Sequence, residues 1–242
     1  MKFVLDTHTH TIASGHAHST IQETAAAAAE KGLELIAITE HGSAMAGAPV
    51  PMYFTSMFVL PGTISGVKIL RGTEANIVDY EGGLDLSERV LKSLDFVMAG
   101  FHDVVLPPGG DVAANTRAMV AAIRNPLVDA ISHPGNPAFQ IDVDEVVRAA
   151  KDCGKLLEIN NNSAKVRKGS FENCVRIAAA CAAAAIPVVC GSDTHYSGGV
   201  GEFESAVEIL ESAVFPEELV LNTSVEKLMK HLNALRPRER RF

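Results

Sequence analysis

Phe3-Val4-Leu5-Asp6-Thr7-His8-Thr9-His10 is a short apolar run that turns polar and closes on two histidines one residue apart. Alternate side chains of an extended segment share a face, so His8 and His10 can chelate one ion. A lone pair of this kind is weak evidence, but the pattern recurs. Leu33 to Ile38 leads into Thr39-Glu40-His41, Val67 to Leu70 into Gly72-Thr73-Glu74-Ala75-Asn76, and Phe96 to Ala99 into Gly100-Phe101-His102. Ala130 to Ile131 leads into Ser132-His133-Pro134-Gly135-Asn136, Leu156 to Ile159 into Asn160-Asn161-Asn162, and Ile186 to Cys190 into Gly191-Ser192-Asp193-Thr194-His195. Eight of the nine histidines lie in these polar tips or, as His16 and His18, just beyond the first. Imidazole binds zinc, manganese and iron, and a carboxylate can bridge two cations, so the clustering points to a polynuclear metal centre.

Seven apolar runs, most followed by a helical stretch, give the alternation of a parallel α/β sheet. Thr20-Ile21-Gln22-Glu23 reads as a capping box opening a helix over 20–31, with Gly32 as its stop. Further helices are predicted over 112–124, 143–153, 170–185, 202–213 and 225–235. Histidines and acids at the C-terminal strand ends share one face, where α/β barrels build their active sites. The fold expected is a distorted seven-stranded (βα)7 TIM-like barrel, one unit short of the usual eight. Residues 43–65 and 106–115 lack periodicity and follow candidate ligands, as surface loops or as lids do.

The 242 residues suit a single domain over 1–242, with 47% hydrophobic and 21% charged residues. A formal charge of −8 argues against nucleic-acid or membrane-surface partners, which need a broad basic face. Three divalent cations would bring that −8 to −2 while placing positive charge at one cleft, which suits an anionic substrate. Cys153, Cys174, Cys181 and Cys190 form no CxxC pair and read as reduced, inert thiols. With no signal-peptide pattern and no membrane-length apolar run, a cytoplasmic protein is expected. The basic stretch 236–242 reads as a flexible solvated tail, and His231 as a surface histidine.

The Asp6-to-His10 opening, Thr39-Glu40-His41-Gly42, Arg71-Gly72-Thr73-Glu74-Ala75-Asn76, Gly100-Phe101-His102, Ser132-His133-Pro134-Gly135-Asn136-Pro137, Glu158-Ile159-Asn160-Asn161 and the Gly191-to-His195 ending occur in this order. In this the chain resembles the polymerase and histidinol phosphatase (PHP) family of metal-dependent phosphoesterases, most of all its bacterial YcdX-type members, from residue 2 to about 230. The resemblance implies a distorted seven-stranded barrel and three zinc ions, with manganese or iron acceptable in some positions. It implies that His8 and His10 hold one ion with Glu74 and Asp193, that Glu74 bridges to a second held by His102 and His133, and that His16, His41 and His195 hold the third. Two positions depart from the pattern: Glu40 stands where relatives commonly have Asp, and His18 where an aromatic is common. Both read first as structural residues; in a second reading Glu40 orients His41 or a neighbour and His18 adds a polar group at the mouth. Relatives that self-associate imply a homo-oligomer.

The function expected is a metal-dependent phosphatase hydrolysing small phosphomonoesters by attack of a metal-bridging hydroxide at a trinuclear centre. Glu74, Asp193 and Arg167 are the expected catalytic residues. Arg167-Lys168-Gly169-Ser170 precedes a helix and makes an anion clamp, so Arg167, Lys168 and Asn161 are the expected substrate contacts. Arg71, three residues before Glu74, is placed to support the site. Three other readings compete: a lactone or amide hydrolase of amidohydrolase type, a phosphodiesterase or nuclease, and a metal-binding accessory module. The Glu74 bridge with the extra histidine trio, the acidic charge, and the complete set of nine ligand types weigh against them in turn.

Overall fold

The computed structural model describes residues 1–236. Its strands are β1 (Leu5–Thr9), β2 (Leu35–His41), β3 (Thr63–Ile64), β4 (Val67–Asn76), β5 (Phe96–Gly100), β6 (Ala130–Ile131), β7 (Leu156–Asn160) and β8 (Val188–Gly191). The helices are α1 (Ile21–Glu30), α2 (Pro51–Ser56), α3 (Glu88–Lys92), α4 (Val112–Arg124), α5 (Val143–Cys153), α6 (Ser163–Val166), α7 (Ser170–Ala184), α8 (Glu204–Ser212) and α9 (Val225–Leu235). Parallel pairing runs β1-β2-β4-β5-β6-β7-β8, and the two-residue β3 pairs antiparallel with β4. At the open edge, Asp193 N–H donates to the His8 carbonyl and His10 N–H to that of Thr194, both at 2.9 Å. The result is a nearly closed barrel of seven parallel strands, as expected.

Caps explain where the helices start. Thr20 and Glu23 exchange the two bonds of a capping box, and Asp111, Asp142 and Ser224 each accept from an N–H of the following first turn. The helical segments 112–124 and 143–153 form as predicted, whereas α2, α3 and α6 are too short to show a period. The segment 43–65 holds α2 and β3 rather than open loop.

Side chains sort by strand parity. Ile36, Ile38, Ile69, Val97, Ile159 and Cys190 face the helices, while Leu5, Leu35, Leu70, Phe96, Leu156 and Val189 fill the barrel with Val225, Leu228 and Leu232 of α9. The strands do not stop where their apolar runs stop: β4 continues through Arg71 to Asn76, all buried. Between Asp6 and Thr9 the pairing of β1 with β2 slips by one residue. That slip reverses the parity of the strand, so Leu5 packs in the barrel below and His8 and His10 also point inward above it.

The N-terminal end of the barrel corrects three expectations. Arg236 is buried with its guanidinium on the Asp129 carboxylate, with Nε 3.0 Å from Oδ1, so the basic stretch begins inside the fold; residues 237–242 lie outside the described residues. His231 is half-buried, its Nε2 2.9 Å from the Gly154 carbonyl, and burial lowers its pKa. Arg71 does not support Glu74. An odd offset of three turns it to the other side of β4, where Nε meets Asp95 Oδ2 at 2.6 Å. The described cysteines are free, and burial pushes the Cys174 and Cys181 thiols up to about 11 and about 12. Among the described residues no helix is long and apolar enough to cross a membrane.

Candidate metal centre

All nine expected ligands meet at the C-terminal ends of the strands. His8 Nε2 lies 3.0 Å from His10 Nε2, 3.3 Å from Glu74 Oε2 and 3.5 Å from Asp193 Oδ1. His10 Nε2 lies 3.5 Å from the same Glu74 oxygen and 3.3 Å from the same Asp193 oxygen. These edges match the about 3.4 Å that separates ligands about 2.1 Å from a zinc ion, with Glu74 Oε2 and Asp193 Oδ1 each closing a triangle on the His8–His10 edge. The other Glu74 oxygen, Oε1, faces His102 Nε2 at 3.2 Å and His133 Nε2 at 2.6 Å. Glu74 thus joins two donor groups, each through its own oxygen.

His16 Nε2 and His195 Nε2 face each other at 2.9 Å. His41 stacks near His16 at 5.1 Å between ring centroids but turns Nδ1 to Glu74 Oε2 at 2.9 Å. The donor trios that gather closely are His8, His10 and Asp193; His41, Glu74 and His102; and His10, His41 and His195. His41 therefore stands between the groups rather than in the His16 and His195 set alone.

Hydrogen bonds at the far ring nitrogens decide which lone pairs are free. His8 Nδ1–H donates to Glu158 Oε1 at 2.7 Å, His10 Nδ1–H to Ser14 Oγ at 3.1 Å, His16 Nδ1–H to the Ser14 carbonyl at 3.1 Å and His195 Nδ1–H to the Asp193 carbonyl at 3.2 Å. Each bond fixes the tautomer and leaves an Nε2 lone pair aimed at another. Burial lowers the pKa values of His10, His16, His133 and His195 and keeps these rings neutral. Burial also opposes charge on His8, yet Glu158, Glu74 and Asp193 outweigh it and raise its pKa, so without a cation a proton takes the place on Nε2 that a cation would hold. For Glu74, burial is outweighed by His102, His8 and His133, and the carboxyl stays well below its usual range. Facing lone pairs repel unless a cation lies between them. Both Glu74 oxygens, His41 Nδ1, His133 Nδ1 and both His102 nitrogens are buried without a hydrogen-bond partner. Buried polar atoms in proteins are as a rule hydrogen-bonded, and six without a partner gathered at one point fit a donor set for divalent cations.

Support comes from carboxylates that bind no ring face directly. Glu40 accepts from Ser14 Oγ at 2.6 Å and from Thr11 N at 3.1 Å, and the same Ser14 oxygen accepts from His41 N–H at 3.1 Å. Glu40 thus reaches His10 and His41 through one serine. Glu158 is the residue whose role sequence reasoning missed. It is fully buried, holds His8, accepts from His133 N–H at 2.7 Å and from Asn160 Nδ2 at 3.1 Å, and Asn160 Nδ2 also lies 3.2 Å from Asp193 Oδ2. The available signal was an acid within the apolar run Leu156-Leu157-Glu158-Ile159. Glu158→Gln is expected to weaken metal binding about tenfold to a hundredfold, the range for such supporting groups. Chelator competition measures this, and unchanged affinity refutes the role.

A cavity of about 480 Å³ opens over the cluster, lined by six of the histidines and acids with Arg167, Asn162, Met45, Val104 and Val166 among its walls. Arg167 is half-buried there, its Nη1 2.9 Å from Ser163 Oγ and 4.0 Å from Asp193 Oδ2. Lys168 is exposed and lines neither this cavity nor its neighbour. Asn161 is buried and spends its side-chain oxygen on Ala206 N–H at 3.1 Å, at the start of α8. His18 is exposed and borders a second cavity beside His195.

Comparison with known proteins adds three findings. The PHP domain family model matches residues 6–162. A protein of Acetivibrio thermocellus named "probable phosphatase" is 52% identical over 241 residues, covering 100% of both chains. Among solved structures, a Lactococcus lactis histidinol phosphate phosphatase, in complex with zinc, L-histidinol and phosphate, superposes with a TM-score of 0.58 at 16% identity, covering 88% of this chain and 94% of that one. A chain from a cryo-EM structure of archaeal ribonuclease P with mature tRNA gives 0.59 at 13% identity, covering 95% and 90%; at such identities the likeness is one of fold.

Proposed function

Because the chain belongs to the PHP domain family, we propose that it is a metal-dependent phosphatase acting on small phosphomonoesters at a centre of three divalent cations, zinc first among them. The observation that carries this reading is the pair of donor triangles that Glu74 and Asp193 close on His8 and His10, with the second Glu74 oxygen turned to His102 and His133. Bound among these donors, divalent cations lower the pKa of water and neutralise charge that develops on a phosphoryl group. The protein's part is to hold the donors at fixed spacing and fixed tautomer, through Glu158, Ser14 and the carbonyls of Ser14 and Asp193. Glu74 keeps two donor groups within a single carboxylate's span. Asp193 stays ionised because His8 and His10 outweigh its burial. Arg167, directly after α6, lines the same cleft, which supports it as the residue that takes a phosphate oxygen. The acidic balance of −8 favours a small anion over a polynucleotide as substrate.

Metal analysis of protein purified without chelator, paired with hydrolysis of an aryl phosphate before and after stripping, tests the reading. About three ions per chain and activity restored by metal are expected. Tight metal with no hydrolysis of any phosphate ester would overturn it in favour of an amidohydrolase or accessory role. In the same assay Arg167→Ala is expected to raise KM about tenfold with kcat changed little, the pattern of a lost ground-state contact; an unchanged KM removes Arg167 from the substrate site.

A further inference from the structure

Beside the metal cleft lies a second cavity of about 580 Å³, and the two share Asn162, Asp193 and His195 in their walls. Its remaining chemistry has no part in the hydrolysis described above. Lys165 of α6 and Glu202 approach across it, Nζ to Oε2 at 3.3 Å, with their side chains 47% and 43% exposed. Tyr196, 63% exposed, adds a ring and hydroxyl to the same wall. An exposed ion pair of this kind contributes at most about 1 kcal/mol to stability. Its two charges are therefore free to exchange partners at little cost.

The wall is built in advance of any ligand. Lys31 of α1 donates to the Gly198 carbonyl at 2.6 Å and that of Val200 at 2.8 Å, and Ser197 N–H donates to Ser19 Oγ at 2.9 Å. Buried Asp6 accepts from Gly201 N–H at 2.9 Å. A preformed cavity of this size, with two opposite charges on its wall, suits a small molecule.

Resting on the phosphatase reading, we propose that this cavity receives the alcohol half of the substrate and that the alcohol is an amino acid, carrying one carboxylate and one ammonium. The carboxylate pairs with Lys165 and the ammonium with Glu202, so both side chains keep a partner of opposite sign. An alcohol with a single charge leaves one of them unpaired, and an uncharged alcohol leaves both. The shared wall at Asn162 and His195 puts the ester link where cleft and cavity adjoin.

The test compares kcat/KM for O-phospho-L-serine, phosphoethanolamine, phosphoglycolate and phenyl phosphate in wild type, Lys165→Ala and Glu202→Ala, all metal-loaded. Phosphoserine is expected to exceed each singly charged ester by about tenfold or more in wild type. Lys165→Ala should lower the ratio of phosphoserine to phosphoethanolamine about tenfold, and Glu202→Ala the ratio of phosphoserine to phosphoglycolate by the same factor. Hydrolysis with no such preference, or ratios unmoved by both variants, overturns the subsite while leaving the phosphatase reading intact. If wild type cleaves none of the esters, the phosphatase reading fails instead. Calorimetric titration with L-serine then decides on the cavity alone: binding weakened in both variants supports it, and no binding refutes it.

Discussion

Glu74→Ala is expected to lower phosphatase turnover by on the order of a thousandfold or more, with the loss of most bound metal. Its two oxygens serve His8, His10 and His41 on one side and His102 and His133 on the other, so one truncation dismantles two donor groups. The substitution should not unfold the chain. Glu74 is fully buried with neither oxygen hydrogen-bonded and is held ionised by His102, His8 and His133, so truncation removes local ion pairs at the strand ends and no hydrogen bond of the core. Circular dichroism should stay native-like while metal content and turnover collapse. Retained turnover with a full metal complement would refute the bridging role. Glu74→Gln, which keeps the shape and one oxygen but loses the charge, should retain partial metal binding in one group.

Asp129→Ala is expected to cost about 3–5 kcal/mol of stability, the range for removing one member of a buried ion pair. The carboxylate is fully buried beneath the barrel, holds the Arg236 guanidinium, and accepts from Val97 N–H at 2.9 Å. Burial raises its pKa despite Arg236, so the pair itself contributes little net energy. The cost lies in what remains: an unpaired Arg236 and, nearby, a buried Lys155 whose ammonium has the Val128 carbonyl at 2.6 Å. Denaturant unfolding measures the loss. Asp129→Asn, which can keep the bond from Val97, should lose less than Asp129→Ala. Metal content per folded chain should not change, because the pair sits at the opposite end of the strands. Equal stability of wild type and Asp129→Ala would show the pair to be energetically idle.

The polar tips were legible because residues that normally avoid the interior stood at the ends of runs that need it. Seven such tips on parallel strands can only share one face, and His8, His41, His102, His133 and His195 do. Their assignment to strands ended too early, since buried polar residues such as Thr73 and Glu74 carry no hydrophobic signal while their backbone still pairs. The slip in β1 was hidden for a different reason: one extra residue in a five-residue strand leaves composition and period unchanged. Arg71 was readable after all, because an offset of three on a strand points away from Glu74. Arg236, His231 and Glu158 were not. Their partners, Asp129, Gly154 and His8, lie 77 or more residues away, beyond any local pattern.

The junction of β1 with β8 gives the centre a second consequence. His8 lies near the end of the first strand with His10 just past it, and Asp193 lies just past the last, so an ion gripped by all three would be a clasp across the seam of the barrel. Folding and loading then share one equilibrium, and each tightly bound ion adds to the work of opening the seam. With ions bound as proposed, metal supply would set how readily this seam opens to a protease.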